Sequence, residues 1–252
     1  NTVSRKVKAV VDRYVKAGGK FILATGRLFS AVRPRAQELN LHGEVIVYQG
    51  GGIYDLDSGK PLWLNTIPTQ KAARLLEELE KLDYCENLCY FNDECNCARP
   101  SEYVDYFCQI CGVPYHSTNM PLSKYITEND VQPVKILSLM MPEHTDEFLE
   151  YGRRAAGSGM VFTRSHKSVV EILPLGINKG EAARRICAEY GVDKSEVIAL
   201  GDSENDASML EFAGLGIAAG NAMPALKAVA GEVGVTNDED FVAWVIEKYG
   251  EI

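Results

Sequence analysis

The stretch VIALGDSENDASML (197–210) decides the fold class. A short apolar run, VIALG, ends in the polar burst Asp202-Ser203-Glu204-Asn205-Asp206, and helix-forming residues follow at once. An unbroken apolar run of this length reads as a strand buried on both faces of a parallel sheet. In open α/β sheets, ligands bind beyond the carboxyl ends of the strands, where this burst lies. Working outward, a helix over 205–212 leads to a second apolar run, LGIAA (215–219). A short helix near 223–229 and a last helix over 238–248 complete this end of the chain, and a helix over 178–190 precedes it.

The opposite end has the same rhythm. Val7, Val10, Val11 and Val15 recur at helical spacing over 4–17, and Gly18-Gly19 stops the helix. FILAT (21–25), halted by Gly26, reads as a buried parallel strand. A helix over 29–39 then leads to VIVYQ (45–49), closed by Gly50-Gly51-Gly52, which completes a βαβ unit. Asp55-Leu56-Asp57, on the hairpin-like stretch that follows, reads as a turn.

The middle differs. A helix over 69–82, the runs NLCYF and ECNCA, a helix over 102–112, and the runs VKILSLMM (134–141), GMVFTR (159–164) and SVVEIL (168–173) mix strand pairs with helices. The last two runs flank Ser165-His166-Lys167 and read as a hairpin. The expected organisation is therefore α/β, a Rossmann-like parallel-sheet core from residues 1–66 and 175–252, with an α+β module inserted over 67–174.

Composition narrows the function classes. The 252 residues are 46% hydrophobic and 24% charged, the balance of a globular protein. The net charge of -9 and a pI near 5.1 argue against nucleic acid or anionic membrane as partners. No run approaches 18 apolar residues, and the first twenty lack the apolar core of a signal peptide, so the protein is expected in the cytoplasm. Six of the seven cysteines (Cys85, Cys89, Cys95, Cys97, Cys108 and Cys111) fall within 85–111. Their spacings match no standard zinc pattern, and they read as buried thiols. Along the helix over 102–112, Tyr103, Tyr106 and Phe107 read as the core face.

Three polar clusters carry the chemistry: Thr25-Gly26-Arg27, Asn178-Lys179-Gly180-Glu181 and the burst at 202–206. Taken singly, Thr25 or Ser203 is a helix cap and Lys179 a solvated lysine. Together they describe a site. Asp202 and Asp206, one helical turn apart, repel each other on a bare helix. A hard cation such as Mg²⁺ removes that repulsion and accepts one or two carboxylates with phosphate and water. Thr25 offers a hydroxyl donor, and Gly26 an N–H that a phosphoryl oxygen can approach without a Cβ in the way. Lys179 adds a charge at a helix N-terminus that already favours anions. Asn205 can bond either a phosphoryl oxygen or the metal-binding carboxylates. Such a set suits phosphoryl transfer, which depends on positioning and charge stabilisation. No G-x-G-x-x-G opens a helix after the first strand, so a nucleotide-binding oxidoreductase is disfavoured.

ATGR (24–27), NKGEA (178–182) and GDSENDASML (201–210), in this order and spacing, resemble motifs II, III and IV of the haloacid dehalogenase superfamily. The long insert between the first two resembles the C2-type cap of its Cof-like phosphatases. Further echoes are QGGGIYD (49–55), SVVEILPLGINKG (168–180), GLGIAAGNA (214–222) and VTNDEDFVAWVI (235–246). The resemblance implies an Mg²⁺-dependent phosphatase that acts through an aspartyl-phosphate on small phosphorylated metabolites, sugar phosphates first. Thr25, Gly26, Lys179 and Asn205 would bind the phosphoryl group, and Asp202 and Asp206 the metal. The cap would close over the leaving group and set specificity, with Tyr90, Asn92, Arg99, Arg164, His166 and Glu171 as candidates. Gln49 stands where relatives show Asn.

The family's Asp-x-Asp-Gly-Thr motif, which supplies the nucleophile, is absent from the 252 residues. The expectation is an aspartate upstream of residue 1, on a central strand whose loss would leave rows of backbone groups unpaired. The alternatives are a phosphomutase with the same core, or a non-catalytic phosphometabolite-binding protein without the nucleophile.

Overall fold

The structure, a computed structural model, describes residues 3–250. It divides into two compact units, Asn1–Trp63 with Asn178–Ile252, and Leu64–Ile177.

The first helix, α1 (Arg5–Lys16), is capped by Ser4, whose Oγ accepts from the Val7 N–H at 3.1 Å, and it turns Val10 and Val11 inward. Residues 21–25 run parallel to β1 (Glu44–Val47), with α2 (Phe29–Glu38) as the crossover. Ile46 N–H donates to the Leu23 carbonyl and Thr25 N–H to the Ile46 carbonyl, each at 2.9 Å. The expectation of a buried strand at 21–25 fails in part. These residues are half-buried and form only this bridge, because among the described residues β1 is their sole strand neighbour. β1 continues antiparallel into β2 (Gly52–Asp55) and then β3 (Pro61–Leu64). The Asp55 carboxylate accepts from the Ser58 N–H at 3.0 Å, so the expected turn forms at the tip of this hairpin.

The unit 64–177 is an α+β module. Its elements are α3 (Thr69–Leu79), β4 (Cys85–Phe91), β5 (Glu94–Cys97), α4 (Glu102–Cys111), β6 (Tyr115–Ser117) and α5 (Leu122–Glu128). There follow β7 (Lys135–Met140), α6 (Thr145–Ala156), β8 (Met160–His166) and β9 (Val169–Pro174). Six strands form one sheet in the order β6-β5-β4-β7-β9-β8. Alternate residues such as Cys89, Ile136 and Ile172 pack against Leu76, Ile126 and Phe148 of the covering helices. On the other face, Lys135 and Glu171 form a buried ion pair of 2.9 Å, with the ammonium 4.5 Å from the Tyr90 ring. Cys89, Cys95, Cys97 and Cys108 are buried thiols as expected, whereas Cys85, the first residue of β4, and Cys111, the last of α4, are only half-buried.

Two local expectations need correction. The inward face of α4 is Val104 and Cys108, while Tyr103 and Tyr106 are exposed and Phe107 is half-buried. Small side chains meet the sheet there and the rings turn out. His166 is the last residue of β8, opposite Val169, and the turn itself is Lys167-Ser168.

The chain returns to the first unit with α7 (Lys179–Tyr190), capped by Asn178, whose Oδ1 accepts from the Glu181 N–H at 2.8 Å. Three parallel strands follow, β10 (Ile198–Gly201), β11 (Leu215–Ala218) and β12 (Glu232–Val233), with α8 (Ala207–Phe212), α9 (Pro224–Val229) and α10 (Phe241–Tyr249). Ile217, Ala218, Leu226 and Phe241 form part of the buried core beneath them. Among the described residues β10 is an edge strand of this sheet, and with Ile198 40% exposed it is not buried on both faces as its apolar run suggests. Among the described residues no helix is long and apolar enough to cross a membrane.

Candidate active site

The polar burst after β10 does not continue as one α-helix. Residues Glu204–Asp206 form a single tight turn, and α8 begins only at Ala207. The cause is a reciprocal cap between Ser203 and Asp206. Asp206 Oδ2 accepts from the backbone N–H groups of Asp202 and Ser203 at 3.0 and 3.1 Å. Its Oδ1 receives the Lys179 ammonium at 2.6 Å. Both side chains are buried, 7% exposed each. Asp206 is therefore fully engaged by the protein, and its geometry differs from that of a carboxylate lying beside Asp202 on one helix face.

Asp202 is the opposite case. It is exposed, its Oδ1 accepts from Ser203 Oγ at 3.1 Å, and its Oδ2 accepts from Asn237 Nδ2 at 2.9 Å. Both donors are neutral, and among the described residues no cation pairs with it. Its charge is held in place and left uncompensated.

Lys179 opens the twelve-residue α7, so its ammonium sits at a helix end that favours anions. An ammonium carries three donors, and Asp206 takes one.

Thr25 and Gly26 follow the segment paired to β1. Thr25 Oγ1 accepts from the Arg27 N–H at 3.2 Å, which leaves its hydroxyl hydrogen to point elsewhere. The loop after β1 is stitched to this segment: Tyr48 N–H donates to the Arg27 carbonyl at 3.1 Å, and Gln49 N–H to the Thr25 carbonyl at 3.0 Å. The stitching needs left-handed backbone at Tyr48 (φ 53°), Gln49 (φ 61°) and Gly50 (φ 97°). For the two non-glycine residues that costs about 1–2 kcal/mol each. Such strain persists where the surroundings over-determine it, and it clusters at functional sites. Gly50 is obligatory for a second reason, since a Cβ there would collide with the carbonyl of Asn178, the cap of α7. Gln49 also bridges to the polar burst, its Oε1 accepting from Asn205 Nδ2 at 3.0 Å.

The first unit thus ties Lys179 to Asp206, Asn205 to Gln49, and Gln49 to Thr25. Sequence reasoning missed two members of this set. Gln49 stood out only as a departure from relatives, and Asn237, 35 residues beyond Asp202, gave no local signal. The candidates in the other unit scatter. Tyr90 and Glu171 are buried beside Lys135, Arg164 pairs with Asp146, and Asn92, Arg99 and His166 are exposed.

The donors present suit a hard divalent cation. Asn205 Oδ1 is buried with no hydrogen-bond partner, and Asp202 offers an uncompensated carboxylate. Both are oxygen donors, as Mg²⁺ requires, and Mg²⁺ needs only one or two carboxylates from the protein. Among the described residues no cluster of three or more His, Cys, Asp or Glu is arranged for a metal.

Comparison with known proteins agrees with this geometry. A family model for haloacid dehalogenase-like hydrolases matches residues 1–246. The Bacillus subtilis 5-amino-6-(5-phospho-D-ribitylamino)uracil phosphatase YwtE is 27% identical over 272 residues, covering 98% of this chain and 92% of the relative. The Escherichia coli pyridoxal phosphate phosphatase YbhA is 29% identical, covering 93% of this chain and 87% of the relative. Two further curated relatives match over shorter stretches, which span 28% and 30% of their lengths. Among solved structures, a haloacid dehalogenase-like hydrolase from Bacteroides thetaiotaomicron superposes with a TM-score of 0.87 at 27% identity, covering 98% of this chain and 92% of that one. The chain belongs to the haloacid dehalogenase-like hydrolase family, and within it to the Cof-like phosphatases.

Proposed function

We propose that this protein is an Mg²⁺-dependent phosphatase of small phosphorylated metabolites, with sugar phosphates as the first class to test. The observation that carries the reading is the buried Lys179–Asp206 pair of 2.6 Å at the start of α7, next to the exposed and uncompensated Asp202. Lys179 would neutralise a phosphoryl oxygen, and Asp206 would hold the ammonium in place. Thr25 would donate its hydroxyl hydrogen to a second oxygen, and the Gly26 N–H is the intended donor to a third. Asp202, with Asn205 behind it, would hold Mg²⁺. The bound cation would supply charge neutralisation to the transferring group. Asp206, whose oxygens are both engaged, would order this arrangement without ligating the metal itself.

The nucleophile in this reading is an aspartate on a segment upstream of residue 1, which forms an aspartyl-phosphate that water then hydrolyses. Two open strand edges support it. β10 ends its sheet with the apolar Ile198 exposed, and residues 21–25 bond to β1 alone among the described residues. The 64–177 unit would serve as a C2-type cap that selects the substrate. The relatives YwtE and YbhA, each matched over more than nine tenths of this chain, carry names for phosphatases of small phosphorylated metabolites. Buried thiols such as Cys89, Cys95 and Cys97 fit a cytoplasmic location.

A second reading, a phosphometabolite-binding protein without turnover, keeps Thr25, Lys179 and Asp202 for binding and needs no nucleophile. The test compares the 252-residue chain with the product of its natural gene, whose intact mass is measured first. Both are assayed on a panel of sugar phosphates with Mg²⁺ and with EDTA. Mg²⁺-dependent release of phosphate by the gene product is the expected result. Affinity for phosphate esters without turnover by either protein would replace the phosphatase with the binding protein.

A further inference from the structure

Two side-chain amides meet in the first unit and leave one atom over. Asn205 Nδ2 donates to Gln49 Oε1 at 3.0 Å, while Asn205 Oδ1 is buried without a partner. A primary amide has a donor end and an acceptor end, so fixing one end fixes the other. Asparagine alone could turn its amide over. Gln49 opposes this through its Oε1, which faces Asn205, and the main chain that carries it is held by the bond from its N–H to the Thr25 carbonyl and a φ of 61°. The Nε2 end of Gln49 is likewise placed, lying over Gly26 where a Cβ would collide with it. With Gln49 in this orientation an acceptor faces Asn205, and the asparagine presents nitrogen to it. A buried amide oxygen left unpaired is disfavoured in an isolated fold, and it becomes useful when a ligand completes it.

We propose that Gln49 is a positioning residue that locks the Asn205 amide with its oxygen kept for the bound cation and its water shell. Asn205 then acts as an acceptor toward Mg²⁺ rather than as a donor toward the phosphoryl group. This inference rests on the metal-dependent reading above. It gives Asn205 an acceptor role in place of the two donor roles open to it from sequence, toward a phosphoryl oxygen or toward the metal-binding carboxylates.

The test is a titration of the ¹⁵N-labelled full chain with Mg²⁺ alone, followed through side-chain amide signals, with the metal-free melting temperature measured alongside. Gln49→Asn keeps an amide, shortens it by one methylene and suits left-handed backbone, so the fold is retained. Its Mg²⁺ affinity should fall roughly tenfold, the scale of lost support behind a metal ligand, at an unchanged metal-free melting temperature. Gln49→Glu keeps the length and the accepting oxygen and should hold the affinity. In an Asn205→Asp background both terminal atoms are oxygens, so there is no orientation to set, and adding Gln49→Asn should cost nothing more. Wild-type binding with Gln49→Asn unaffected, or the same loss in both backgrounds, overturns the role of Gln49 and leaves the metal reading standing. A wild-type chain that shows no Mg²⁺ response at the side-chain amides of Asn205 or of Asn237, which bonds the Asp202 carboxylate, overturns the metal reading, and the role of Gln49 with it.

Discussion

Among the described residues, each unit buries one lysine–carboxylate pair, and the two pairs are built differently. Lys135 and Glu171 meet at 2.9 Å across β7 and β9, strands whose register is already set by backbone bonds. Lys179 and Asp206 meet at 2.6 Å at the head of α7, and Asp206 spends its second oxygen on the Asp202 and Ser203 N–H groups. The first pair joins elements that would stand together without it. The second shapes a loop, so that removing it changes where Asp202 points. A buried ion pair is by itself weak evidence of stabilisation. What separates these two is the extra work given to one carboxylate.

The largest expected effect tests that difference. Removing one partner, by Asp206→Ala or Glu171→Ala, strands a buried ammonium and should cost about 3–5 kcal/mol in either unit. Replacing both partners should separate the units. Lys135→Met with Glu171→Leu should lose less stability than either single change, because apolar side chains fill the space without a stranded charge. Lys179→Met with Asp206→Leu should recover little, because the N–H groups of Asp202 and Ser203 stay without their acceptor. Urea unfolding of the four variants checks this, and equal recovery in both units would erase the contrast.

A smaller effect is expected at two glycines with positive φ. Gly112 ends α4 at φ 64° with nothing near its missing Cβ, so Gly112→Ala should cost about 1 kcal/mol in backbone strain alone. Gly50 has φ 97°, and an added Cβ would also strike the Asn178 carbonyl. Gly50→Ala should cost about 3 kcal/mol, strain and overpacking together. The same substitution in two left-handed positions thus measures how tightly the first unit is drawn around its site.

These contrasts also show what was legible in the sequence. Strand and helix existence followed from apolar runs, and the three polar clusters were found because they stand at the ends of those runs. The engagement of Asp206 was within reach too, since a serine followed three positions on by an acidic residue is a capping signature, and here Ser203 and Asp206 form that box. Reading the two carboxylates as i and i+4 on one helix obscured it. Gln49 and Asn237 were out of reach for a physical reason. Their partners lie 156 and 35 residues away, and no periodicity in the chain encodes such a meeting. The burial of 21–25 was overestimated because an apolar run reports what a strand can bury, and only β1 lies beside it among the described residues.

The next effect in size appears only at alkaline pH and belongs to the 64–177 unit. Burial pushes the Cys85 thiol up to about 12 and the Cys97 thiol up to about 11, from an ordinary value of 9.0. Cys89 is driven higher still by the same cause. A thiol raised in the folded state keeps its proton there while the unfolded chain gives it up. Its contribution is therefore whole below pH 9 and drains away as pH climbs toward the folded value, at up to about 1.4 kcal/mol per pH unit for each thiol. The first unit holds only the half-buried Cys187. Between pH 9 and 11 the 64–177 unit should therefore lose stability first, seen as hydrogen exchange rising there before it rises around β10 and β11. Simultaneous loss would mean that these thiols do not govern the alkaline limit.

The smallest effect on stability is expected at the residue given most to do. Asp202 is exposed, and among the described residues its carboxylate is bonded by Ser203 and Asn237 alone, so Asp202→Asn keeps the shape and removes the charge. A serine hydroxyl can accept as readily as donate, which lets the new amide satisfy both neighbours. The fold should change by no more than about 0.5 kcal/mol, the range of ordinary surface substitutions. The gain in melting temperature that saturating Mg²⁺ gives the wild type should nevertheless vanish, because stabilisation by a ligand follows its affinity for the folded state. Arg164→Ala supplies the matched control in the other unit. It too breaks an exposed contact, with Asp146, and should leave the Mg²⁺ gain intact. If Asp202→Asn keeps that gain, the cation is not held at the end of β10. If it loses the gain together with several kcal/mol of metal-free stability, Asp202 supports the fold in the way Asp206 does. Only loss of the gain at constant stability identifies a carboxylate that the fold positions and leaves for a ligand.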